Sequence, residues 1–302
     1  MRPVGRTGDR QTRQCVLARK QAYSIRCENR QGSFVSARTV LIVSVIALAI
    51  PGCGTAPRPS PTETRSGQGN EFRSGGALGS PGDRARIHTE LGALYLQEGR
   101  YSIALDEARV AQVADPSFAP AYSLAGLVHM YLGDRSQAES SFSRALSIAP
   151  HDPDISNNYG WFLCQSGQEQ QSFEYFQRAA RNPLYKTPSK PRLNAGICYY
   201  RLGKLAEARA SFDDAMRFAP GDPQVSFWLA QTSFRQGDLV QSRGHIADIE
   251  KRVELTAEAL WLGLRVERGL GNREAEARFS SQLRRRFPTA PETTRLLKGD
   301  YE

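Results

Sequence analysis

Residues that carry chemistry are scarce in this sequence. Its 302 residues include four histidines and five cysteines. The histidines, His88, His129, His151 and His245, are scattered, and none has a metal-type spacing to Cys, Asp or Glu. G-x-S-x-G, P-loop and G-x-G-x-x-G motifs are missing, so hydrolase, phosphate-cradle and dinucleotide readings have no support. The expectation is a protein that is not an enzyme, with no cofactor, metal or small-molecule substrate. Long apolar runs are missing too: the longest, 40–50, is broken only by Ser44 and is too short to span a bilayer. Basic charge is unevenly spread. Residues 1–38 hold nine basic and two acidic residues, or +7, and the whole chain is +9, which leaves 9 − 7 = +2 for the rest. That remainder is no footprint for nucleic acid.

What is present is a repeat. A unit starting at Ala85 shows Leu91, Gly92, Tyr95, Ala104, Ala108, Ala111 and Pro116. The next, from Ala119, gives Tyr122, Gly126, Ala138, Phe142, Ala145 and Pro150. A third from Pro153 has Tyr159, Gly160, Leu163, Gly167, Phe176 and Ala179; a fourth from Ser189 has Ala195, Gly196, Tyr199, Ala208, Phe212, Ala215 and Pro220. The fifth, from Pro223, keeps Leu229, Ala230, Gly237 and Ile246, and the sixth, from Ala257, keeps Gly271 and Pro288. Small residues let two helices approach, larger ones fill the gaps, and Pro ends the second helix. One unit cannot bury its apolar face alone, so such units stack. The period and pattern resemble tetratricopeptide (TPR) repeats. The expected fold is all-α: a TPR solenoid of about six helix-turn-helix repeats in a curved superhelix over 84–302, with units near 85–118, 119–152, 153–188, 189–222, 223–256 and 257–290. Phase slips once, in the stretch 182–191, where three prolines forbid a helix and predict an extended loop. Arg284, Arg285 and Arg286 are placed at the end of the last helix, where positive charge suits the dipole.

The front of the chain reads differently. The apolar run has the length of a signal-peptide core, and 40–52 ends in Pro51-Gly52 before Cys53. That ending resembles the lipobox of bacterial lipoproteins, which implies a lipidated Cys53 as the mature N-terminus; Gly54 after it implies sorting to the outer membrane. Residues 54–83 are rich in Pro, Gly, Ser and Thr and predict a flexible tether, with a reach of roughly 30 Å. Residues 1–39 are a long extension ahead of the core. Initiation at Val35 would give a conventional signal peptide, so 1–34 is expected to lie upstream of the true start.

Two cysteines fall inside the array. Cys164 and Cys198 occupy the first helices of consecutive units, and those helices are neighbours. A disulfide in an oxidising compartment and two buried free thiols are both compatible with that placement. The first helices of such arrays line the concave surface. In the first three units the residues facing it include Leu96, Leu127, Met130, Tyr131 and Trp161. A groove for a peptide or helix and half-buried core packing are the two readings of that cluster. In the fourth and fifth units the corresponding surface, with Leu193, Ile197, Tyr200, Arg201, Phe227 and Arg235, is more mixed.

The third and fourth units carry more than the generic pattern. The run Asn157-Asn158-Tyr159-Gly160-Trp161-Phe162-Leu163-Cys164, then Asn182-Pro183-Leu184-Tyr185, then Asn194-Ala195-Gly196-Ile197-Cys198 resembles the PilF/PilW family of type IV pilus biogenesis lipoproteins. The resemblance implies an outer-membrane lipoprotein facing the periplasm that acts as a pilotin. It would bind the pilus secretin and promote its localisation and multimerisation. The alternative is a TPR scaffold lipoprotein in outer-membrane protein assembly or envelope maintenance.

Overall fold

The computed structural model describes residues 79–301, and the account is confined to them. Cys53, the apolar run, the extension and most of the tether fall outside the described residues. Within the described ones there are thirteen α-helices and no strand. They pair as α1 (Pro81–Gln97) with α2 (Tyr101–Ala114), α3 (Ala119–Leu132) with α4 (Arg135–Ile148), and α5 (Pro153–Gln165) with α6 (Glu169–Ala180). Then follow α7 (Ser189–Arg201) with α8 (Leu205–Phe218), α9 (Pro223–Arg235) with α10 (Leu239–Glu250), and α11 (Ala257–Gly269) with α12 (Arg273–Arg286). A short α13 (Pro291–Lys298) closes the array. The fold is an all-α TPR solenoid.

The repeated small residues explain the pairing. A β-carbon at Gly126 would lie 2.8 Å from the Phe142 ring, and one at Gly196 would lie 2.4 Å from Phe212. In the second, third, fourth and sixth units the second helix therefore drives an aromatic ring against a bare stretch of its first helix. Between the two helices of each unit, Gly99, Gly133, Gly167, Gly203, Gly237 and Gly271 adopt positive φ, which ends the first helix in the left-handed conformation that glycine tolerates. Asp134, Asp152, Asp222 and Asp238 cap helices that follow, each accepting from backbone N–H groups of the first turn. Units stack because each first helix touches the first helix of the next, from α1 through to α13.

Four details differ from the sequence reading. Helix α1 opens at Pro81, inside the stretch assigned to the tether, because Ser80 and Asp83 form a capping box. Arg284, Arg285 and Arg286 do end α12, but α12 is not the last helix: α13 packs on α11 and α12 through Leu296 and the buried Thr293. The sixth unit is regular in its packing, with Gly263 facing Phe279 at 2.9 Å. The sequence pattern retained only Gly271 and Pro288 there because this pair sits one residue early relative to Gly271.

The proline-rich connection between α6 and α7 is the fourth. It is a packed turn rather than an extended loop. Tyr185 is only 6% exposed, and its hydroxyl donates to Asp154 Oδ1 at 2.9 Å. Burial, with Asp154 beside it, pushes its pKa well up. Arg192 fastens the same junction: its guanidinium donates to Asp214, to the Pro188 carbonyl and to the Ala180 carbonyl, and stacks over Phe218 at 3.9 Å. Sγ of Cys164 and Sγ of Cys198 are bonded to each other, joining α5 to α7 across it, with Cα atoms 6.1 Å apart. Residues 80–302 form one compact unit, so the insertion does not divide the array.

Candidate protein-binding face

The first helices provide the surface on which the candidate residues lie. A polar ladder runs along it. Asn194 on α7 donates to Asn157 Oδ1 at 2.9 Å, Asn157 donates to Asn158 at 3.4 Å, and Asn158 donates to Ser123 on α3 at 3.2 Å. Asn157 and Ser123 are buried, so these amides satisfy one another and fix the relative register of α3, α5 and α7. The Asn157-Asn158 pair of the sequence motif is therefore a clamp between units.

The five apolar candidates divide. Leu96 packs against the core of the first two units, with Tyr95, Tyr101 and Leu105 around it. Leu127 and Met130 pack beside Phe142, Phe162 and Leu163. All three are half-buried wedges between helices. Tyr131 and Trp161 are different. Tyr131 is 42% exposed and stacks flat on Tyr101, with ring centroids 5.7 Å apart. The Trp161 side chain bears on its hydroxyl and favours the phenolate, but burial, the larger effect, holds the Tyr131 pKa above its ordinary value. Trp161 itself is half-buried against the core of the fourth unit and the cluster around Cys164 and Cys198. The result is an aromatic patch of Tyr101, Tyr131 and Trp161, held in place by stacking and by packing against the cores beneath it. Tyr101 was not among the sequence candidates, since it opens a second helix; no repeat position marks it.

Farther along, Leu193, Ile197 and Phe227 are buried, so these three belong to the core and not to the mixed surface expected of them. Exposure on that half rests with Arg201, Arg235 and the half-buried Tyr200. Among the described residues no group of three or more His, Cys, Asp or Glu could hold a metal ion. No helix there is long and apolar enough to cross a membrane.

Comparison with known proteins agrees with this architecture. The tetratricopeptide repeat family matches residues 124–185 and 193–254. The solved structure described as PilW, a widely conserved type IV pilus biogenesis factor, is 32% identical; the match covers 70% of this chain and 98% of that one, with a TM-score of 0.63. The chain belongs to the PilF/PilW family of TPR proteins. A second member of known structure, Pseudomonas aeruginosa PilF, superposes with a TM-score of 0.60 at 24% identity, over 72% of this chain and 99% of that one. The curated Pseudomonas aeruginosa type IV pilus assembly protein PilF is 25% identical over 248 residues, 82% of this chain and 93% of the relative. Against these PilF/PilW proteins the match takes in nearly their whole length.

Proposed function

We propose that this protein acts in type IV pilus biogenesis as a non-catalytic, lipid-anchored scaffold of the outer membrane that faces the periplasm. On this reading Cys53 carries the lipid, and residues 54–80 tether the array close to the membrane. The array binds the pilus secretin subunit and promotes its localisation and assembly into the ring. Family membership supports the pilus, and the Cys53 motif supports the anchor. The observation that carries binding is the patch of Tyr101, Tyr131 and Trp161. Aromatic side chains already ordered by packing lose little entropy on binding and are frequent anchors of protein contacts.

The test is crosslinking of the tagged protein in cells, followed by identification of partners in the outer-membrane fraction. Secretin should be recovered with the wild type. Tyr131→Ala should lower the yield at least tenfold while leaving the helical signal and the membrane fraction unchanged, because Tyr131 is the most exposed member of the patch. Cys53→Ala should move the protein out of the membrane fraction. Recovery of barrel-assembly or cell-wall proteins without secretin would replace this reading with a general envelope scaffold.

A further inference from the structure

Several of the array's arginines have carboxylate partners. Arg192 pairs with Asp214, Arg243 with the buried Glu267, and Arg268 with Glu276. Three on the first-helix surface of the C-terminal half do not. Arg201 ends α7, Arg235 ends α9 one repeat later, and Arg265 lies on α11. Among the described residues none of the three forms an ion pair. Instead Arg235 and Arg265 rest on aromatic rings, and Arg235 on backbone as well. Arg235 donates to the Tyr200 carbonyl at 2.9 Å and lies over the Tyr200 ring at 5.0 Å. Arg265 lies over the Phe234 ring at 4.5 Å, and its Nε is buried with no hydrogen-bond partner. Both guanidinium charges also bear on the Tyr200 hydroxyl, which locates them around one side chain. Burial lowers the pKa of Arg201 and of Arg265, so both charges have given up part of their hydration. The carboxylates nearest in charge are Glu169 for Arg201 and Asp300 for Arg265, while Arg295 repels Arg265.

We propose that Arg201, Arg235 and Arg265 form a carboxylate-binding row for an extended acidic peptide segment of a partner protein. The inference goes beyond the aromatic patch, which lies on the other half of the array, and does not depend on which protein the partner is. Guanidiniums held over aromatic faces and short of acceptors offer their N–H forks to carboxylates. Packed helices lie about 8–10 Å apart. An extended peptide advances about 3.4 Å per residue, so side chains two or three residues apart match that spacing. The chain supplies its own small example at the array's end: the Asp300 charge favours that of Arg265, while Tyr301 stacks on Trp261 at 5.8 Å and lies under Arg268 at 3.9 Å. An acidic peptide fits better than nucleic acid. A polyanion with a phosphate at every nucleotide calls for a broad basic field, and residues beyond 38 carry only 9 − 7 = +2.

The experiment is fluorescence anisotropy of the full chain against a labelled octapeptide of alternating Glu and Ser. The probes for comparison are its Gln–Ser counterpart and a single-stranded RNA of eight nucleotides. The Glu–Ser peptide should bind at least tenfold more tightly than either, and more weakly as salt is raised. Arg235→Gln with Arg265→Gln should remove that preference, and Arg144→Gln, on the second helix α4, should leave it intact. Circular dichroism establishes that each variant is folded. Equal binding of the Glu and Gln peptides, tighter binding of RNA, or an unchanged preference in the folded double variant would each overturn the proposal. None of these outcomes bears on secretin capture by the aromatic patch.

Discussion

Glycine at position 196 is demanded by a ring, not by backbone conformation. Its helix is regular, yet a β-carbon there would meet Phe212 at 2.4 Å, with Phe212 itself fully buried. Gly196→Ala must displace that ring or separate α7 from α8, and should cost about 1–3 kcal/mol. Gly244, mid-way along α10, is the opposite case: it is exposed and has nothing within 4 Å of an added β-carbon. Gly244→Ala should stabilise by about 0.5–1 kcal/mol through helix propensity. Urea titrations followed by circular dichroism measure both, and a shared sign would refute the packing argument. A third residue sets a pH limit. Burial, followed by the charge of Glu139 and the neighbouring Tyr175, pushes the Tyr159 phenol up to about 12. Its pKa in the unfolded chain is about 10, so the folded protein holds this proton more tightly. The associated stability is complete below pH ~10 and is lost as pH rises toward 12. Thermal stability should therefore decline across that interval, and less steeply in Tyr159→Phe. A decline of equal slope in the variant would assign the alkaline sensitivity to other groups.

At the scale of elements, the junction of α6 and α7 shows what a sequence conveys and what it hides. Prolines at 183, 188 and 191 ruled out a continuous helix, and the repeat phase located the insertion. The burial of Tyr185 was not legible, because its partner Asp154 stands 31 residues away. Nor was the role of Arg192, two of whose partners are backbone carbonyls that any residue would supply. The same limit applied to the binding face: repeat positions selected Tyr131 and Trp161, but also buried core residues such as Leu193. Period fixes which helix a residue occupies, while burial depends on the size of its neighbours across the stack. The clamp across this junction can be tested directly. The bond between Cys164 and Cys198 closes a span of 34 residues, worth about 2–4 kcal/mol in the unfolded-chain entropy model. Reduction by dithiothreitol should lower the unfolding free energy measured by urea titration by that amount, and with it the midpoint, and Cys164→Ser with Cys198→Ser should reproduce the loss without further effect of reductant. An unchanged midpoint in both would mean that Tyr185 and Arg192 hold the junction unaided.

In the molecule as a whole, stability is approximately a sum of units and of their interfaces, so the two ends weigh differently from the middle. The C-terminal end is sealed by α13. Leu296 and Tyr301 cover the largest core cluster, which contains Leu260, Leu264 and Leu283. The Thr293 hydroxyl, itself buried, donates to the Phe287 carbonyl at 2.6 Å and ties the helix to the end of α12. Removing 288–302 would leave that cluster open to water on one side and strip Trp261 of its stacked partner. Because each unit contacts only its neighbours, the damage should stay in the fifth and sixth units rather than unfold the array. The truncated chain should keep most of its helical signal and its Cys164–Cys198 bond. It should bind a hydrophobic dye such as ANS and lose its last repeats at a lower urea concentration than the rest. Hydrogen exchange would read the same gradient residue by residue, fast in α11 and α12 and unchanged in α3 to α7. Uniformly faster exchange along the whole chain would show instead that the solenoid melts as one cooperative body, with α13 supporting repeats it never touches.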